Sequence, residues 1–175
     1  RLSLPEVVFE QEYMANPSEN SANPFGSDAI RRCVSDISIN PVKCYGIDLA
    51  KYSDYTVIIG LDNAGNVAYL DRFQADWAST QNKIRNLPKA PMLIDSTGVG
   101  DPVVEQLQRE GLNVEAFKFT SQSKQEIMLG LQVAIHQERI HYPDGVIKQE
   151  LEIFEYQYSS HGVKYSAPSG FHDDT

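Results

Sequence analysis

From Val42 onward the chain alternates short apolar runs of strand length with apolar positions at helical spacing. Lys43 to Leu49 and Tyr55 to Leu61 read as strands; the turn Asp62-Asn63-Ala64-Gly65 then leads into a third, Asn66 to Phe73, which completes an antiparallel meander. A short helix around Ser79 to Leu87 carries Ile84 and Leu87 inward, and Pro91 to Ile94 is a fourth strand of buried type. Asp101 as N-cap, Pro102 at the first helical position, apolar Val103, Val104 and Leu107, and Gly111 past the end specify the next helix. Strand five runs from Val114 to Phe119, and the capping box Ser123-Lys124-Gln125-Glu126 opens a longer helix through Ile127, Leu131, Ala134 and Ile135. Pro143-Asp144-Gly145 turns the chain into a helix bearing Val146, Ile147, Leu151 and Phe154. Glu155 to Tyr165, with Tyr156, Tyr158 and Tyr165 around Ser160-His161-Gly162, has hairpin spacing. These elements predict an α/β fold on a mixed five-stranded sheet, strands 1–3 antiparallel and strands 4 and 5 parallel, flanked by helices.

Residues 1–42 have a different texture. Leu4, Val7, Val8 and Phe9 form a small apolar patch, and Asn16 to Pro24 is polar and proline-containing, the composition of a linker. A short helix is expected from Asp28 as N-cap through Ile30, Arg31 and Arg32, ended by Asn40-Pro41. The chain opens on Arg1 rather than Met and stops at Thr175 within a helix start, which reads as a piece of a longer protein.

The 175 residues suffice for an ordinary core without staples. Cys33 and Cys44 form no CxxC pair, so neither a zinc site nor a disulfide framework is indicated. No membrane span or signal-peptide pattern is present. A net charge of −9 argues against a domain that holds nucleic acid by bulk electrostatics.

The chemistry centres on isolated carboxylates. Asp48 stands near the carboxyl end of an apolar strand between Ile47 and Leu49, where an ionised side chain pays for desolvation unless a cation meets it. Asp95 ends the run Pro91-Met92-Leu93-Ile94 in the same way, and Asp173-Asp174 close the chain after His172. Strands one and four as parallel neighbours bring Asp48 and Asp95 to adjoining carboxyl ends, where open α/β sheets hold their sites. Carboxylates from three segments with no neighbouring base point to a divalent metal with oxygen ligands, which would also invert the local sign of charge. Lys51, Lys118 and Lys124, after the carboxyl ends of strands one and five, are candidate phosphate contacts. For any one of these residues the ordinary alternative is a cap or a solvated charge; the metal reading rests on the acids jointly.

Gly46-Ile47-Asp48-Leu49-Ala50, Leu93-Ile94-Asp95-Ser96-Thr97-Gly98-Val99-Gly100 and Tyr165 to Asp174 together resemble the nuclease domain of the large terminase subunit of tailed bacteriophages. The resemblance covers 43–175 and implies a ribonuclease H-like fold. It also implies that Asp48, Asp95, Asp173 and Asp174 hold two Mg²⁺ or Mn²⁺ ions that cut double-stranded DNA during genome packaging. Asp48 is then the expected bridging ligand. The stretch 1–42, with Phe9-Glu10-Gln11-Glu12-Tyr13, is similar to the tail of the family's ATPase domain, while no GxxxxGK[ST] loop occurs. Portal and small terminase subunit are implied as partners, the host cytoplasm as location, and a monomer as the state of the isolated domain. Two other readings stay open. Gly46-Ile47-Asp48-Leu49 also resembles the first phosphate loop of actin-like ATPases and sugar kinases, although Lys51-Tyr52-Ser53-Asp54 is bulkier than that loop requires. A non-catalytic docking module of the packaging machine is the other.

Overall fold

The computed structural model describes residues 23–50, 54–97, 100–159 and 162–166, with the backbone alone from Glu155 on. Lys51, Asp173, Asp174 and the Phe9–Tyr13 stretch lie outside the described residues, as do the side chains of the three hairpin tyrosines. The described residues divide into two compact units: Ile37–Thr120 form one, and residues 23–36 join 121–159 and 162–166 in the other.

The first unit is built on a five-stranded sheet of β1 (Cys44–Asp48), β2 (Thr56–Leu61), β3 (Val67–Phe73), β4 (Met92–Asp95) and β5 (Val114–Phe117), in the order β3-β2-β1-β4-β5. β1 to β3 pair antiparallel, whereas β4 runs parallel to β1 and β5 parallel to β4, as the sequence pattern predicts. Two helices, α2 (Trp77–Arg85) and α3 (Gly100–Arg109), supply the crossovers. Period-two alternation sends Tyr45, Ile47, Ile58, Met92 and Ile94 to one face, where they meet Ile84 and Leu87 from the α2 segment and Val103, Val104 and Leu107 of α3. Full burial of each such aliphatic side chain is worth about 1.5–3 kcal/mol, so this face carries most of the unit's stability. Where Tyr45 meets Tyr69 edge-on with centroids 5.9 Å apart, the strand between them has Gly60. A Cβ there would lie 2.9 Å from Tyr45, Tyr69 and Val42, closer than any side chain tolerates.

Several boundaries move, each for a local reason. α2 begins at Trp77 rather than Ser79, because Asp76 caps it by accepting the Ser79 amide at 2.8 Å. α3 includes Gly100, so Asp101 lies in its first turn and not at its cap. β5 stops at Phe117, two residues short of the expected end.

The second unit holds α1 (Ser27–Arg32), α4 (Ser121–His136), α5 (Val146–Ile153) and the antiparallel hairpin of β6 (Glu155–Ser159) and β7 (Gly162–Ser166). α1 starts after Gly26, at φ 74, not at Asp28, and α4 opens two residues before the predicted capping box. Asn23, expected in a linker, accepts the amides of Phe25 and Gly26 and donates to the carbonyls of Leu151 and Glu152. Phe25 packs on Phe154 at 5.7 Å, and Tyr142 donates to the Ile30 carbonyl, so this early stretch folds against the residues that flank α5.

Candidate metal centre

β1 and β4 are in register at Tyr45–Met92, Gly46–Leu93 and Ile47–Ile94. Asp48 and Asp95 are the next residue on each strand, so the two carboxylates stand side by side at the carboxyl edge, one strand spacing of about 4.8 Å apart at the backbone. Both fall on the face opposite the packed core, since Ile47 and Ile94 before them point inward. Asp48 is exposed and Asp95 half-buried.

The second acid is held by its own turn. Asp95 Oδ1 accepts the Thr97 amide at 2.8 Å, and Thr97 Oγ1 in turn accepts the Phe119 amide at 3.0 Å. Ser96 donates through both its amide and its hydroxyl to the Phe117 carbonyl. The exits of β4 and β5 are thereby laced together. The orientation of the Asp95 carboxylate is set by backbone, with its Oδ2 turned to no donor among the described residues.

Lys118, expected as a phosphate contact, pairs with Asp101 at 2.6 Å. That ammonium, with the Ser96 hydroxyl, holds the Asp101 carboxyl below its ordinary range. Lys124 is exposed on α4 in the other unit. Among the described residues no three His, Cys, Asp or Glu side chains gather as a metal cluster. The described edge therefore supplies two of the four acids, and the closing pair lies outside the described residues. Two carboxylates donate hard oxygen, which suits Mg²⁺ or Mn²⁺.

Two features of the same face escaped the pattern of the sequence. Arg72 of β3 pairs with Val57, which pairs with Asp48, so Arg72, Val57, Asp48 and Asp95 form one row across the sheet. Asp71, its neighbour, points the other way and meets Lys83 of α2 at 2.6 Å. The Arg72 guanidinium lies 3.8 Å from the ring centre of Tyr55, just before β2. Beyond the acids the face is a shallow groove of about 420 Å³ floored by Gly46 and walled by Ile59, Leu61 and Leu93. It offers few polar atoms.

No protein-family model matches the chain. A curated relative, the large terminase subunit of Thermus phage G20c, is 29% identical over 194 aligned positions that take in 99% of this chain and 40% of the relative. The chain's relatives are large terminase subunits. It spans about two fifths of their length. Among solved structures, the large terminase nuclease of phage G20c with bound cobalt superposes with a TM-score of 0.76 at 23% identity, covering 90% of this chain and 93% of that one. The magnesium-bound form of that nuclease gives 0.74 at 24%, with the same two coverages. The terminase resemblance carried by the three motifs is met by these relatives, and the mixed five-stranded fold by these neighbours.

Proposed function

We propose that this chain is the nuclease part of a phage-type large terminase. It cleaves double-stranded DNA, with little sequence preference, at a site where Asp48, Asp95 and one or both of Asp173 and Asp174 hold two Mg²⁺ or Mn²⁺ ions. The observation that carries the reading is the pairing of Asp48 and Asp95 at adjoining carboxyl ends of parallel strands. The sheet that bears them is shared with nucleases whose solved forms carry magnesium or cobalt. On this reading 43–175 hold the nuclease, and the preceding stretch is the tail of an ATPase domain. DNA, portal and small terminase subunit are the partners, in the host cytoplasm.

Two ions held there would polarise the phosphate and lower the pKa of a bound water. The chain's own residues do the positioning. Asp48 is exposed at the end of the central strand. Asp95 is aimed by the Thr97 amide. The closing pair would complete the set; adjacent helical residues diverge by about 100°, so Asp173 and Asp174 would not serve alike. With a net charge of −9 the chain binds DNA weakly, and affinity falls steeply with salt. Other parts of the intact protein then keep DNA near the site.

The test is digestion of supercoiled plasmid with Mn²⁺ across salt concentrations, with the ends sequenced, for wild type and Asp48→Ala. The expected result is scattered cuts that fade as salt rises and vanish in the variant. A single recurrent cut site, or cutting indifferent to salt, contradicts the low-specificity reading. Cutting that survives Asp48→Ala removes the assigned site, and no cutting by wild type leaves the docking-module reading.

A further inference from the structure

We infer that Thr56 is a positioning residue for Asp48: its hydroxyl ties the exit of β1 to the start of β2 and so fixes the backbone that presents the carboxylate to the metal. The inference rests on the metal reading of Asp48 given above. Asp48 with Val57 is the last pair of the β1–β2 ladder, so the ladder no longer holds the residues that follow. Two residues on, the Ala50 amide donates to Thr56 Oγ1 at 3.1 Å. A side chain thereby stands in for the ladder bond that the sheet has ceased to supply, and the end of β1 is kept from fraying.

Thr56 is only 2% exposed, so its hydroxyl has left water and needs a partner within the protein. Its own place is set by pairing with Phe73 of β3, which makes the tie run from the sheet to the departing chain and not between two loose segments. Alternation with Val57 puts Thr56 on the core-facing side with Ile58, opposite to Asp48; the hydroxyl therefore acts through the chain and touches no ion. On that same side Ile47 is buried and Leu49 packs against the core, so Asp48 is pinned before and after while its own side chain stays exposed. The matching tie on β4 is made by Thr97, whose Oγ1 accepts the Phe119 amide. Each acid-bearing strand is thus fastened to a neighbouring strand just past its acid, by a threonine hydroxyl that accepts a backbone amide. A pair of ligands must hold its geometry to within about 0.5 Å to bind a cation well, and two such ties supply that constraint without occupying either carboxylate.

The experiment measures Mn²⁺ binding to the full chain, below its melting range, from the electron paramagnetic resonance signal of free Mn²⁺. Wild type is compared with Thr56→Val, Thr56→Ser and Ala50→Pro, and with Thr80→Val as a control at a buried threonine of α2. Thr56→Val keeps the shape and removes the acceptor, whereas Ala50→Pro removes the donor. Each is expected to raise the Mn²⁺ concentration at half saturation roughly three- to tenfold, the order of one hydrogen bond. Plasmid cleavage at saturating Mn²⁺ should return close to wild type in both. Thr56→Ser retains the hydroxyl and restores the wild-type half saturation, and Thr80→Val leaves it in place whatever it does to the melting temperature. A Thr56→Val protein that melts lower yet binds Mn²⁺ as wild type does overturns the inference and makes the hydroxyl a purely structural one. A Thr56→Ser shift as large as that of Thr56→Val overturns it too. If Thr56→Val does not fold, Ala50→Pro decides by the same criterion. If wild type binds no Mn²⁺, the metal reading falls and this inference with it; wild-type binding with unshifted Thr56→Val and Ala50→Pro removes this inference alone.

Discussion

The two ends of the central strands treat a carboxylate in opposite ways. After β2, Asp62 is buried and surrounded by donors: the Ser38 hydroxyl, the side chains of Asn40 and Asn66, and the amides of Ala64 and Asn66. These bonds, the Asn66 side chain foremost, hold its pKa far below the ordinary carboxylate range. At the other end, Asp95 receives one backbone amide and presents its remaining oxygen at the sheet edge beside Asp48. A structural carboxylate is saturated by its own fold. The carboxylate proposed as a ligand is aimed by the fold and left with capacity to spare. The same residue type at two ends of one sheet thus separates stability from chemistry, and substitutions should separate them too.

The largest effect is expected at the edge. Asp48→Ala and Asp95→Ala each lower plasmid cleavage by orders of magnitude while far-ultraviolet circular dichroism and the metal-free melting temperature stay near wild type. A variant that loses activity only because it unfolds would erase the distinction between the two ends.

Asp62→Ala should do the reverse. It strands several donors in a buried turn, so the melting temperature falls by several degrees or more, while turnover per folded molecule in Mn²⁺ is retained. Cleavage lost in proportion to the Asp48 variant, at a temperature where the protein is folded, would link the two ends and contradict the separation. The pH dependence has a definite sign. The folded Asp62 carboxyl has a lowered pKa, so its stabilisation is complete above the unfolded value of about 3.9 and is lost as pH falls through the lower folded value. Chemical denaturation between pH 7 and 2.5 should show stability falling below about pH 4, and less steeply in Asp62→Asn.

Gly60→Ala tests the packed face. With 2.9 Å to Tyr45, Tyr69 and Val42, the added methyl should cost about 1–3 kcal/mol in urea denaturation, with cleavage unaffected below the melting range. The smallest effect belongs to Thr97. Thr97→Val removes the acceptor for the Phe119 amide and loosens the turn that aims Asp95, so a several-fold higher metal requirement for cleavage is expected, restored by Thr97→Ser. Equal metal requirements in the Val and Ser variants would show that the Asp95 turn needs no tether.

Much of this was legible in the sequence because the sheet writes a strong signal. A carboxylate at the end of Tyr45-Gly46-Ile47 or Met92-Leu93-Ile94 conflicts with its apolar run, and that conflict marks an edge position. The order of three meander strands and two crossovers did the rest. The early segment was harder. Asn23-Pro24 has linker composition, yet the Asn23 side chain bridges the start of α1 and the end of α5, a contact 128 residues apart that no local pattern encodes. The expected start of α2 falls two residues late because Trp77-Ala78-Ser79 carries no clear apolar period, and the cap at Asp76 lies outside the window that period defines. Arg72 was hidden for a different reason: Leu70-Asp71-Arg72-Phe73 places opposite charges on opposite faces, and only pairing through Val57 reveals which of them shares a row with Asp48.

The central claim is that Asp48 and Asp95 are metal ligands, and a Mn²⁺ titration followed by thermal melting tests it most directly. A ligand that binds only the folded state raises the melting temperature by mass action. The account predicts a rise for wild type that continues into the millimolar range, and little or none for Asp48→Asn and Asp95→Asn. In EDTA both variants should melt no lower than wild type, since each relieves repulsion between neighbouring acids. Parallel titration curves for wild type and both variants, or a wild-type melting temperature indifferent to Mn²⁺, would contradict it.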